Sequence, residues 1–299
     1  MEHNIITPSW ELINKTNTIK KFNFIPSLLS TLYLSVIVFY QIAFTYIYIF
    51  ELKDQFFSLV IDFVHKSYFI EVLITLAIWF VLYMFVKPLA EGGIVCLIDA
   101  FYNKEAGKYR LSYWISQWLL HFLPVFEFHN FMGFFRLLSI ITFYFLTLRI
   151  FGQNYAFVIS IVFGIYLLLS FVINILFAYS KFFIIFEKKW IFEAISLSTR
   201  MTLDNMWTTS KLYFTLFLVY LRIILTVVMF LVFPIIVSTI FAYISSKFFF
   251  IFFISLIAII FVVFLLLITH LNSVVEIFVD SLWYNAYKDN KKTFEIEEN

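Results

Sequence analysis

Six stretches of this chain are apolar over the length needed to cross a lipid bilayer, and that feature limits its folding more than any other. They run over residues 24–50, 72–101, 131–151, 155–186, 212–243 and 248–281. A hydrocarbon core about 30 Å thick takes roughly 20 residues of helix, because in lipid every backbone N–H and C=O must be bonded inside its own segment. With 63% hydrophobic residues and only 13% charged residues among 299, the chain carries more apolar side chain than a water-soluble core of its length can hide. The expected fold class is all-α, a polytopic membrane protein with six transmembrane helices forming a single domain over residues 1–299.

Loop charges give the expected orientation. Lys15, Lys20 and Lys21, the basic residues of 104–110, Arg136, Lys181, the basic residues of 188–211 and the Lys288, Lys291 and Lys292 tail fall on one side. Lys53, Lys66, Arg149 and Lys247 fall on the other, an asymmetry of about four to one that puts both termini in the cytoplasm. The first 21 residues are polar and include Glu2 and Glu11, unlike the basic and apolar regions of a cleaved signal. Gly152-Gln153-Asn154 is a turn signal that makes the third and fourth spans a tight antiparallel hairpin.

The two large cytoplasmic loops share a plan. Leu111, Trp114, Ile115, Trp118, Leu119 and Phe122 recur at helical spacing, with Pro124 as a break before the third span. Trp190, Ala194, Leu197 and Met201 recur likewise opposite Glu193, Ser196 and Arg200. Two amphipathic surface helices, over about 111–123 and 190–204, are therefore expected at the cytoplasmic boundary. The unit of span, basic loop, surface helix and span thus occurs twice, the layout a tandem duplication would leave. A further external surface helix is expected between Glu51 and Glu71.

The second loop carries Glu187, Lys188, Glu193, Ala194, Ser196 or Ser198, and Asn205, and the first half carries Gly92-Gly93 leading through Asp99. This pattern resembles the membrane domain found fused to some bacterial glycerophosphodiester phosphodiesterases, and related stand-alone six-helix membrane proteins of unknown function. The resemblance implies a six-helix layout over most of the chain. The soluble phosphodiesterase module is missing, so it implies no such activity.

Ionisable residues within the spans are the candidates for function, because a charge in hydrocarbon needs a partner or water. Counting 1.5 Å per residue back from Lys211, Lys288 and Lys104 puts Arg222, Glu276 and Glu91 at comparable depths of roughly 16 to 20 Å. A buried network of Arg222, Glu276 and Glu91 is one reading. Helices that extend past the membrane as wet stalks are another, and a pair that only fixes packing is a third. Asn174, His270 and Asn272 have the chemistry for hydrogen bonds between helices. Trp114, Trp118, Trp190, Trp207 and Trp283 read as interfacial anchors. Lys87-Pro88 and Gly92-Gly93 mark an expected interruption of the second helix.

No phosphate loop, zinc-protease helix or nucleophile elbow is present. The single Cys96 rules out an intrachain disulfide, and His121 and His129 lack the further ligands of a metal site. No catalysis and no cofactor are expected. A net charge of +2 gives no case for a nucleic-acid partner. Membrane lipids are the expected partners, with anionic head groups near the basic loops. These readings converge on a non-catalytic scaffold or partner subunit of the bacterial cytoplasmic membrane, in envelope or lipid-related processes. A small permease or channel-like subunit using the buried charges is the alternative.

Overall fold

The computed structural model of the chain describes residues 2–49, 53–105, 111–217, 219 and 247–298. All regular structure among them is helical. In chain order the helices are α1 (Glu2–Lys15), α2 (Asn17–Ile49), α3 (Lys53–Val64), α4 (Phe69–Tyr102), α5 (Leu111–Leu120), α6 (Phe122–Gly133) and α7 (Leu137–Phe151). After a 3-10 turn at Gln153–Tyr155 come α8 (Ala156–Leu176), α9 (Ser180–Glu187), α10 (Ile191–Asp204), α11 (206–217) and α12 (Lys247–Glu298).

Among the described residues three segments are long and apolar enough to cross a membrane, namely Phe69–Tyr102, Ala156–Glu187 and Val262–Lys292. A fourth is obtained if α6 and α7, bent by 48° relative to each other, are one broken span. Of the sequence-based stretches, 24–50 corresponds to α2, while residues 220–246 of the fifth lie outside the described residues.

Two layers follow from where the apolar residues are covered. In the first half of α4, Ile70, Ile74, Ile78, Val81 and Phe85 are all exposed, as are Phe157, Ile161, Ile165 and Leu168 on α8 and Ile259, Val263 and Leu267 on α12. Apolar surface on this scale is stable in hydrocarbon, where no water competes. In the second half of α4 the pattern inverts, and Ala90 and Ile94–Ile98 are buried. Ile277, Leu282, Tyr284 and Tyr287 of α12 and Phe182–Ile185 of α9 join them in one core, closed by α1 and α10 through Leu12, Ala194 and Met201. The 34 residues of α4 are about 51 Å of helix, some 20 Å more than the hydrocarbon core requires.

Helix α4 passes through Pro88 and Gly92-Gly93 without a break. The two glycines instead admit a neighbour: a Cβ on Gly93 would lie 2.8 Å from the Trp114 ring, so α5 packs directly on the α4 backbone. The first surface helix ends at Leu120 rather than 123, and α6 begins before Pro124. Proline is tolerated there because first-turn N–H groups have no partner inside the helix.

The 131–151 and 155–186 stretches are each interrupted. Arg136 is extended (φ −79°, ψ 139°) between α6 and α7, and residues 177–179 separate α8 from α9. The hairpin turn does form where expected, with Gly152 at φ +82°, a conformation that favours glycine.

Candidate site: a buried charge network at the layer boundary

The charged residues of α4, α9 and α12 meet where the uncovered apolar layer ends. Lys87 and Glu91 are one turn apart on α4, and Glu276 and Asp280 one turn apart on α12, so each pair shares a helix face. Lys87 Nζ lies 2.6 Å from Glu276 Oε1. Lys181, on α9, pairs with Asp280 and stands 3.4 Å from Glu91 Oε1. Side-chain exposures of 13% for Lys181 and 16% for Asp280 place this pair almost wholly inside protein. Burial of that depth demands pairing, because an isolated ion loses its hydration.

A second tier extends the network into α6 and the bend after it. His129 Nδ1 is 3.1 Å from Glu91 Oε2, and Arg136 Nη2 is 2.8 Å from His129 Nε2. One ring serves both neighbours as the Nδ1–H tautomer, donating to the carboxylate and accepting from the guanidinium. Three cations (Lys87, Lys181, Arg136) thus stand with three carboxylates (Glu91, Glu276, Asp280) around one histidine. Charge within this cluster balances.

Helix α2 contributes a polar stripe. Ser27 Oγ donates to Glu276 Oε2 at 2.8 Å, and Asn23 Nδ2 reaches the same oxygen at 3.1 Å and the Ser273 carbonyl at 3.2 Å. Asn272 Nδ2 donates to Thr31 Oγ1 at 3.0 Å. Asn23, Ser27 and Thr31 recur every four residues and face the same seam of α12.

The interrupted helices are resealed in the same way. At the α6–α7 bend, Tyr166 OH donates to the Phe134 carbonyl at 2.7 Å, while Ser170 Oγ and Asn174 Nδ2 donate to the Phe135 carbonyl at 2.5 and 2.9 Å. At the α8–α9 break, Ser198 Oγ accepts from the Tyr179 N–H at 3.0 Å and donates to the Leu176 carbonyl at 2.8 Å. Backbone groups freed from a helix ladder in an apolar setting require such substitutes.

The sequence-based site residues distribute as follows. Glu276 and Glu91 lie in the network, but with Lys87 and Lys181 as their ion-pair partners. Arg222 lies outside the described residues. Asn174 and Asn272 bond between elements, and His270 is exposed. Trp114 and Trp283 are buried: Trp114 stacks on Phe22, and Trp283 packs edge-on to Tyr179 and Tyr213. Each fills a gap between helices that a smaller residue would leave open. Trp190 and Trp207 are exposed, and the Trp118 side chain lies outside the described set.

Lys87, Asp280, His129, Lys181, Asn23 and Ser27 were missed as network members. The i, i+4 recurrence of Lys87 with Glu91 and of Glu276 with Asp280 was the available signal.

The residues of the loop pattern also have defined contacts. Glu187 accepts from Tyr287 OH at 2.7 Å and pairs with Lys291 at 2.8 Å. Asp99 accepts from Tyr284 OH at 2.5 Å, Glu193 pairs with Lys189, and Asn205 N–H closes α10 on the Met201 carbonyl.

No protein-family model matches the chain, and no curated protein or solved structure shows significant similarity to it.

Proposed function

We propose that this chain is a non-catalytic membrane scaffold or partner subunit, with six spans and both termini in the cytoplasm of a bacterial cell. The observation that carries the reading is the mutual pairing of Lys87, Glu91, Lys181, Glu276 and Asp280. A solute path needs a charge that the solute can engage, whereas here Glu276 is held by Lys87, and Glu91 and Asp280 share Lys181. A network of this kind fixes the register of α4, α9 and α12.

The length of α4 supports a position for it. Lys87 lies 18 residues beyond Phe69, about 27 Å of helix, so a hydrocarbon slab beginning at Phe69 ends near the Lys87–Glu91 turn. The packed layer beyond is then cytoplasmic, in agreement with the positive-inside asymmetry. Its basic loops, and the resemblance of its loop pattern to that of phosphodiesterase-associated membrane domains, support a place in envelope or lipid-related processes.

The test is purification in mild detergent after cross-linking in cells, with identification of whatever protein is retained stoichiometrically. The transport alternative draws on Glu276, whose side chain is 30% exposed. A solute flux in proteoliposomes that Glu276→Gln abolishes, with the fold intact, would move the assignment to transport.

A further inference from the structure

A cleft of about 350 Å³ opens between the α5–α6 corner and the α9–α10 turn, lined by His121, Glu127, Lys188, Lys189 and Trp190 with apolar neighbours such as Leu123. That volume lies within the range of small-ligand sites, about 300–1,000 Å³. Lys188 ends α9 in the left-handed conformation, φ 52°. Among the described residues no carboxylate pairs with its ammonium, whereas Lys189 is engaged by Glu193.

The surroundings of this cation are apolar and uncovered. Leu120 and Leu123 at the α5–α6 corner are 63% and 60% exposed, and Trp190 beyond the turn is 82% exposed. The cleft also sits at the right height. Lys188 is seven residues past Lys181 of the charge network, about 10 Å of helix, which reaches from the hydrocarbon edge through the headgroup layer. A cation beside uncovered apolar side chains at that level matches one ligand chemistry, a phosphate attached to acyl chains. Glu127 on the cleft wall can accept a hydrogen bond from a hydroxyl, which favours a hydroxylated headgroup.

We propose that this cleft binds the phosphodiester of an anionic phospholipid with a hydroxylated headgroup, Lys188 holding the phosphate, Lys189 adding positive charge beside it from its pair with Glu193, and Leu120, Leu123 and Trp190 contacting the chains. The inference rests on the membrane reading above, though not on the identity of any protein partner.

The test is native mass spectrometry of the full chain in detergent, titrated with phosphatidylglycerol or with phosphatidylcholine. Lys188→Gly with Lys189→Gln removes both cations, and glycine suits the left-handed backbone at 188. Lys104→Gly is the matched control, a second left-handed lysine (φ 58°) outside the cleft. The expected result is a phosphatidylglycerol adduct retained at least tenfold better than phosphatidylcholine, lost in the double variant, kept in the Lys104 control and not displaced by inorganic phosphate. Equal retention by the double variant and the parent would overturn the proposal, as would equal loss in the Lys104 control. Displacement by inorganic phosphate would reassign the cleft to a soluble anion. All of these outcomes leave the copurification test untouched.

Discussion

Removing one partner of the Lys87–Glu276 pair is the most informative perturbation of the charge network. The two side chains are 17% and 30% exposed at a separation of 2.6 Å. Stripping one partner from a buried pair costs about 3–5 kcal/mol when the remaining charge is stranded. Glu276 is not fully stranded in Lys87→Met, because Ser27 and Asn23 still donate to it. The expected loss is therefore nearer ~2 kcal/mol, about a 30-fold shift of the folding equilibrium. Glu276→Gln leaves the Lys87 ammonium in the core with a similar deficit. The double variant leaves no stranded charge, so it should be more stable than the two single losses predict, by ~1–2 kcal/mol of coupling. Reversible unfolding in mixed micelles of rising denaturing-detergent fraction, followed by tryptophan fluorescence, measures all four corners of the cycle. Single variants within ~0.5 kcal/mol of the parent, or strictly additive losses, would refute the reasoning.

The remaining predictions address packing, the resealed break and pH. Gly93→Ala drives a methyl into the Trp114 ring and should destabilise by ~1–3 kcal/mol in the same assay, whereas Gly92→Ala meets only ordinary contacts at 3.5 and 3.8 Å and should be neutral or slightly stabilising. Ser198→Ala orphans the Tyr179 N–H and should cost ~1–3 kcal/mol, with Ser196→Ala, at an exposed position, as the silent comparison. Burial, and then the Lys188 ammonium, hold the His121 imidazole below its ordinary value of 6.5. The unfolded chain then binds the extra proton more readily, so the stability contributed by neutral His121 is present above about pH 6.5 and falls as pH drops below it. His121→Phe should flatten thermal melts across that window, and an unchanged pH slope would remove His121 as its source.

Much of the helical layout was legible because hydropathy records where lipid is the solvent. The α7–α8 hairpin was legible because Gly152 needs a backbone that few other residues adopt. The breaks at Arg136 and at 177–179 were not, since neither carries a proline or glycine turn signal and both depend on side chains supplied from α8 and α10. Glu91 and Glu276 stood out as charges in apolar sequence, and depth counting set them at one level with Arg222, which lies outside the described residues. Their partners were hidden for a different reason. Lys87 read with Pro88 as part of a helix interruption, and Lys181 as one of the loop charges, because one sequence cannot show which helices touch. The buried Trp114 and Trp283 illustrate the same limit, as an aromatic at a predicted boundary and one wedged between helices read identically.

Labelling single introduced cysteines in intact cells with a membrane-impermeant thiol reagent tests the two-layer membrane account most directly, given that native Cys96 is buried. Cysteine at Phe57, on exposed α3, should react from outside, whereas cysteine at Asp289, on α12 beyond the charge network, should react only after the cells are opened. Prompt external reaction at 289, or a chain that stays monomeric in water without detergent, would contradict the account.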